Sequence, residues 1–176
     1  MKVLAIVGSP RKANTYRLVK AMCDALEERN VGTDLILLQD MDIQHCNGCS
    51  DHCDRKRECR VEDDMRRLYP KLRETDALII GTPVYFWNVS GLLKTFIDRT
   101  LPLYTSRELK GKIGAAVAVS EADGQNLAIS DISSFFRLHQ MRDIGSIGIA
   151  RGSEDVKDED IEMAKALARK ILNELA

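Results

Sequence analysis

The sequence carries almost no excess charge: 26 lysines and arginines stand against 27 acidic residues, a net charge of −1. No global field therefore draws it to nucleic acid or to an anionic membrane. It has no apolar run near the ~18 residues of a membrane span. The N-terminal run from Met1 to Gly8 is too short for the apolar core of a secretory signal, and Pro10, Arg11 and Lys12 interrupt it at once. Internal repeats and low-complexity linkers are missing too. With 44% hydrophobic and 30% charged residues, the 176 residues suit one compact, soluble domain, 1–176, read as cytoplasmic. Two residue types are scarce: aromatics make up 5% of the chain, and there are five cysteines. Both are clustered. Tyr85, Phe86 and Trp87 are consecutive, and four of the cysteines lie between Cys46 and Cys59.

What is present is an alternation of short apolar runs and helical patterns. Residues 2–7, 34–38, 77–81, 113–119 and 144–149 read as buried strands. Helical spacing follows Asn14, a candidate N-cap, and places Leu18, Met22, Ala25 and Leu26 on one face. A second helix opens at Asp63-Asp64 and runs to Leu72, with Pro70 expected to kink or divide it. Ser90 caps a third helix, a fourth spans about 127–141, and the last runs from about 158 to 175. Five continuous apolar strands alternating with helices predict an α/β fold: a doubly wound five-stranded parallel sheet in a three-layer sandwich, with strand order 2-1-3-4-5. Ligands in such sheets sit at the carboxyl ends of the strands, beside the switch point. That singles out the loops after Val7, Ile80 and Val119, together with the cysteine loop at 45–60.

The first loop, "GSPRKANT", enters a helix N-terminus with Gly8, Ser9, Arg11, Asn14 and Thr15. Free N–H groups and an arginine there suit a phosphate. It lacks the second glycine and the Lys-Ser/Thr pair of a nucleotide-binding P-loop. The alternative is an ordinary turn with a surface arginine. The second loop, "TPVYFWNVSG", sets three aromatics at a strand end, which suits a flat heteroaromatic ring. Core packing or a subunit contact are its alternatives. His139 reads as a surface or packing residue, and Cys23 as a small buried hydrophobe.

The cysteine loop reads C-x2-C-x3-C-x5-C through Cys46, Cys49, Cys53 and Cys59. Thiols stay reduced in the cytoplasm, so this spacing points to a metal or redox site rather than a disulfide frame. A 4Fe–4S cube takes four closely spaced thiolates. Zinc is the second reading, with His45 and His52 as further ligands. A loop of free thiols is the third. The bases Arg55, Lys56, Arg57 and Arg60 could dock an acidic electron carrier, or form a solvated run balanced by Glu58, Glu62, Asp63 and Asp64.

Together, "GSPRKANT", "GTPVYFWNVSGLLKTFIDR", "SEADGQN" and the cysteine loop resemble the NAD(P)H-dependent FMN reductase family of flavodoxin-like proteins, and within it the iron–sulfur flavoprotein branch. The resemblance extends to about Gly148. It implies FMN, with the phosphate held by Ser9, Arg11, Asn14 and Thr15. Pro83, Val84, Tyr85, Phe86, Trp87 and Asn88 would line the isoalloxazine, and Ser120, Glu121, Asp123 and Gly124 would border it. It also implies a 4Fe–4S cluster on the four cysteines, and a homodimer or homotetramer. The middle cysteine spacing is x3 where the branch has x2, and Gly124 stands without a second glycine. NAD(P)H, a quinone or a ferredoxin is the implied redox partner. Two alternatives stand beside this one: an NAD(P)H-dependent FMN or quinone reductase without a cluster, and a non-catalytic electron carrier or zinc-stabilised binding module.

Overall fold

The computed structural model describes all 176 residues. In chain order the elements are β1 (Lys2–Val7), α1 (Asn14–Glu27), β2 (Gly32–Leu37), α2 (Ser50–Lys56), α3 (Met65–Glu74), β3 (Ala77–Tyr85), β4 (Asn88–Val89), α4 (Gly91–Asp98), α5 (Leu101–Ser106), β5 (Ile113–Ser120), α6 (Gln125–Leu138), β6 (Arg142–Ala150) and α7 (Asp158–Leu175). Five strands form a parallel sheet in the order β2-β1-β3-β5-β6. This is the expected order. The sheet has six strands rather than five, because β3 folds back on β4 as an antiparallel hairpin.

Alternation along the strands builds the two halves of the core. Val3, Ala5 and Val7 of β1 face the layer of α1 and α7, where Leu18, Met22, Leu26, Leu167 and Ile171 are buried. Leu4 and Ile6 face the opposite layer, with Met65, Leu68 and Leu72 of α3, Leu93 and Phe96 of α4, and Ile132 and Phe136 of α6. Each large apolar side chain so buried contributes about 1.5–3 kcal/mol. Strands covered on both faces need no polar side, which is why they read as continuous apolar runs.

Three local expectations meet different outcomes. Ser90 caps α4, its hydroxyl accepting from the Leu93 N–H at 3.1 Å. Asn14 is not a cap: Ala13 holds that position, and the Asn14 side chain is engaged elsewhere. Pro70 does not divide its helix, since α3 carries it inside a single element.

Candidate functional site

The loops after β1, β3 and β5 emerge at one edge of the sheet. Backbone and hydroxyl bonds tie the first to the second. The Gly8 N–H donates to the Gly81 carbonyl at 2.8 Å, and the Ser90 hydroxyl donates to the Gly8 carbonyl. The Ser90 N–H donates to the Thr82 hydroxyl at 3.0 Å. A Cβ on Gly8 would stand 2.7 Å from the Leu93 Cβ, so only glycine lets this loop lie against α4.

Within the first loop the side chains divide their labour. The buried Ser9 hydroxyl donates to the Arg11 carbonyl at 2.7 Å and accepts from the Arg11 N–H at 3.1 Å, closing the turn on itself. The Asn14 carboxamide donates to the Glu154 carbonyl at 2.8 Å and accepts from the Val156 N–H at 3.1 Å, joining α1 to the segment before α7. Thr15 is buried and Arg11 is exposed. Helix geometry leaves the first N–H groups of α1 without intrahelical partners. With the Arg11 guanidinium they form a corner suited to an anion.

The second loop is the β3–β4 hairpin. Tyr85 pairs with Asn88, and Phe86 and Trp87 form the two-residue turn with φ of 47° and 60°. Turns of this kind favour Asn-Gly, and non-glycine residues in this region cost roughly 1–2 kcal/mol each. The strain places aromatics at a surface tip: Phe86 is 92% exposed and Trp87 56%, their rings edge to face at 5.5 Å. They are not core aromatics. Pro83 and Val84 are half-buried at the base, and Tyr85 and Asn88 are exposed.

The third loop meets this tip. Gly124 has φ of +92°, and a Cβ there would lie 2.9 Å from the Trp87 Cα. The Asp123 carboxylate accepts from the Gly124 N–H at 2.7 Å, and the buried Ser120 hydroxyl donates to Gln125 Oε1 at 3.0 Å. Glu121 and Asp123 are exposed. The second loop therefore touches both of the others, and only glycine lets the third loop lie this close to the hairpin. This arrangement fits a flat cofactor with an anionic tail.

The cysteine loop is held differently. Cys53 lies in α2, Cys49 just before it, Cys46 upstream and Cys59 beyond it. Cys53 and Cys59 are buried, Cys46 and Cys49 half-buried, and none is in a disulfide. Burial pushes the Cys53 thiol up to about 11, and the fields of Cys49, Cys59 and Cys46 push it the same way. No three His, Cys, Asp or Glu side chains are gathered as ligands for a single metal ion.

Beneath the loop lies an ion pair absent from the sequence-based site. Arg99, 1% exposed, donates from Nη1 to Asp63 Oδ2 at 2.6 Å and from Nη2 to Oδ1 at 3.0 Å. Nη1 also donates to the Gln44 carbonyl at 2.6 Å. Asp63 further accepts from the N–H groups of Gln44 and Met65. Burial would raise the Asp63 carboxyl, but these bonds outweigh it and hold it below the usual carboxylate range. Asp63 is therefore no part of a solvated charge run; Arg55, Lys56, Arg57 and Arg60 are exposed as expected. The spacing Leu93, Phe96, Arg99 puts Arg99 on the buried face of its helix, which is the signal that could have found it. Arg99 Nε and His52 Nε2 are buried without partners. Four cysteines on one short loop have the donor chemistry of a sulfur-ligated group, but their side chains are not drawn together around a common centre.

A groove of about 790 Å³ adjoins the same loop, lined by Cys46, Val89, Leu101, Tyr104, Phe135 and His139 among others. His139 is buried, not a surface residue, and burial lowers it to about 4. Cys23 is buried as expected.

The model of the family "NADPH-dependent FMN reductase" matches residues 1–154. The chain belongs to this family. Among curated relatives, this FMN reductase family member is 37% identical to an iron-sulfur flavoprotein of Methanocaldococcus jannaschii, over 97% of this chain and 95% of that one. Among solved structures, a flavone reductase superposes with a TM-score of 0.81 at 20% identity, over 98% of this chain and 62% of that one. An archaeal flavodoxin superposes with a TM-score of 0.68 at 21% identity, over 99% and 98%. The structural matches show the fold, which is flavodoxin-like. No helix of this family member is long and apolar enough to cross a membrane.

Proposed function

We propose that this protein is an FMN-dependent oxidoreductase of the iron–sulfur flavoprotein kind, serving electron transfer to a partner carrier. When bound, FMN supplies two-electron and a 4Fe–4S cluster one-electron redox chemistry. Arg11 and the N–H groups of the first turn of α1 bind the phosphate, while Ser9, Asn14 and Thr15 keep that corner in shape. The hairpin residues Pro83 to Asn88 line the ring on one side, and Ser120, Glu121, Asp123 and Gly124 border it on the other. Cys46, Cys49, Cys53 and Cys59 ligate the cluster. The exposed Arg55, Lys56, Arg57 and Arg60 around them suit an acidic partner such as a ferredoxin. The observation that carries this reading is the C-x2-C-x3-C-x5-C spacing on one loop of a chain 37% identical, over nearly its whole length, to an iron-sulfur flavoprotein.

Anaerobic purification with a visible spectrum and assays of iron and acid-labile sulfide tests it. Flavin bands with about four irons and four sulfides per chain support it. Flavin without iron, after expression with ample iron, overturns the cluster. The lack of any three-residue ligand set favours a second reading, an NAD(P)H-dependent FMN or quinone reductase without a cluster. Rapid bleaching of an iron-free flavin by NADPH would select it.

A further inference from the structure

The segment between β6 and α7, residues 151–157, has no regular structure, yet it is tied down at both ends and in the middle. The buried Asp160 carboxylate closes its ends: it accepts from Arg151 Nε at 2.7 Å and Nη2 at 2.6 Å, and from the Lys157 N–H at 2.8 Å. On the side of the third loop, the Arg151 N–H donates to the Ser120 carbonyl at 3.2 Å and the Gly152 N–H to the Glu121 carbonyl at 2.7 Å. On the side of the first loop, the Glu154 carbonyl accepts from the Asn14 carboxamide at 2.8 Å, and the Val156 N–H donates back to the Asn14 side-chain oxygen at 3.1 Å. Asp155 pairs with Arg17, in the first turn of α1, at 3.1 Å. The segment therefore runs as a strap from the corner suited to a phosphate to the loop that borders the ring. Both polar ends of the Asn14 carboxamide are spent on it.

We propose that Asn14 is a positioning residue that acts on the flavin through the 151–157 strap, holding the phosphate corner and the ring-bordering loop at one separation, and is not a ligand of the phosphate. The inference rests on the FMN reading above. A ligand that touches two loops binds best when they already stand in the bound arrangement, and its apparent affinity falls with the fraction of protein so arranged. Loosening the strap at Asn14 or at Asp160 releases the same segment. The loss reaches the ring end as well as the phosphate end, because Arg151 and Gly152 hold the Ser120 and Glu121 backbone. Linkage makes the effect reciprocal: a bound flavin holds the strap closed.

The test titrates the full chain, stripped of flavin, with FMN and with riboflavin, which lacks the phosphate, and follows flavin fluorescence. It compares wild type, Asn14→Ala and Asp160→Asn, each shown by an unfolding curve to be folded at the assay temperature. Asp160→Asn keeps an oxygen for the Lys157 N–H but gives up the ionic grip on Arg151. The expected result is weaker binding of both flavins in both variants, by one common factor of roughly tenfold, with the ratio of FMN to riboflavin affinity unchanged. A loss of FMN affinity alone in Asn14→Ala marks a direct phosphate contact and overturns the inference. So do wild-type affinities for both flavins in Asp160→Asn. If that variant does not fold, Arg151→Lys replaces it, keeping the charge while losing the two-pronged grip. A second readout needs no variant: amide hydrogen exchange at Gly152 and Val156 of the wild type should slow when FMN is added, and unchanged exchange overturns the inference. A wild-type protein that binds neither flavin overturns the underlying reading and this inference with it, whereas flavin binding that neither variant weakens overturns this inference only.

Discussion

The two candidate sites are built on opposite principles. The three loops after β1, β3 and β5 are held by backbone contacts: the Gly8–Gly81 bond, the Ser90 and Thr82 hydroxyls, and close approaches at Gly8 and Gly124. Their exposed side chains, Arg11, Tyr85, Phe86 and Asn88, are free for a ligand. The cysteine loop has one two-turn helix packed on α5, and its two ends are pinned largely by side chains: the buried Arg99–Asp63 pair, just after α4 and just before α3, and Asp64 at the Asp42 N–H. A backbone-held site tolerates the loss of any one exposed side chain. A site pinned by a buried charge pair is exposed to the loss of either partner.

The largest effect should come from splitting that pair. Arg99→Met alone strands the Asp63 carboxylate in the interior, and urea unfolding should show a loss of about 3–5 kcal/mol. A loss below about 1 kcal/mol would mean that the remaining bonds of the loop hold it without the pair and would break the comparison.

Acid should act next, again at the cysteine end. The Thr100 hydroxyl donates to the Ile97 carbonyl at 2.7 Å, so it accepts from His139 Nε2, and the imidazole is neutral. Its folded value is depressed to about 4 from 6.5. The unfolded chain therefore takes up a proton that the folded one refuses. Stability is lost as pH falls from about 6.5 towards 4, by up to roughly 3 kcal/mol. His139→Leu should flatten this window in a pH series of unfolding curves. Below it, the depressed Asp63 carboxyl removes further stability, because it is protonated in the unfolded chain before the folded one.

At the other end, Gly8→Ala should cost about 1–3 kcal/mol through its overlap with Leu93 and weaken FMN binding in a fluorescence titration. The smallest effect is the most pointed. Phe86→Gly relieves a left-handed backbone and gives up almost no burial, so thermal unfolding should show a gain of up to about 1 kcal/mol. A loss would show that the exposed ring packs on something that holds the hairpin.

The sheet was legible because buried parallel strands are apolar throughout, and the order followed from helices between every pair. The cysteine spacing and the loop that enters α1 stand out in the sequence as motifs. The hairpin was not legible, because Tyr-Phe-Trp-Asn offers no glycine at the positions that need positive φ. Nor was the Arg99–Asp63 pair, because the partners stand 36 residues apart and each sits beside solvated charges in the sequence. Asn14 had the right chemistry for a phosphate ligand or a cap, but its carboxamide goes to residues more than 100 positions away, which local pattern does not report.

The close approach of Gly124 to Trp87 has a metric consequence. Gly124 begins α6, and His139, beside the groove at Cys46, ends it. Fourteen helical residues, a rod of roughly 20 Å, set the spacing between the aromatic tip and that groove. The helix acts as a ruler whose unit is one residue. Adding or removing one would rotate His139 by about 100° relative to Trp87 while lengthening or shortening the rod by only about 1.5 Å. The two ends are thus registered to each other in angle far more strictly than in distance.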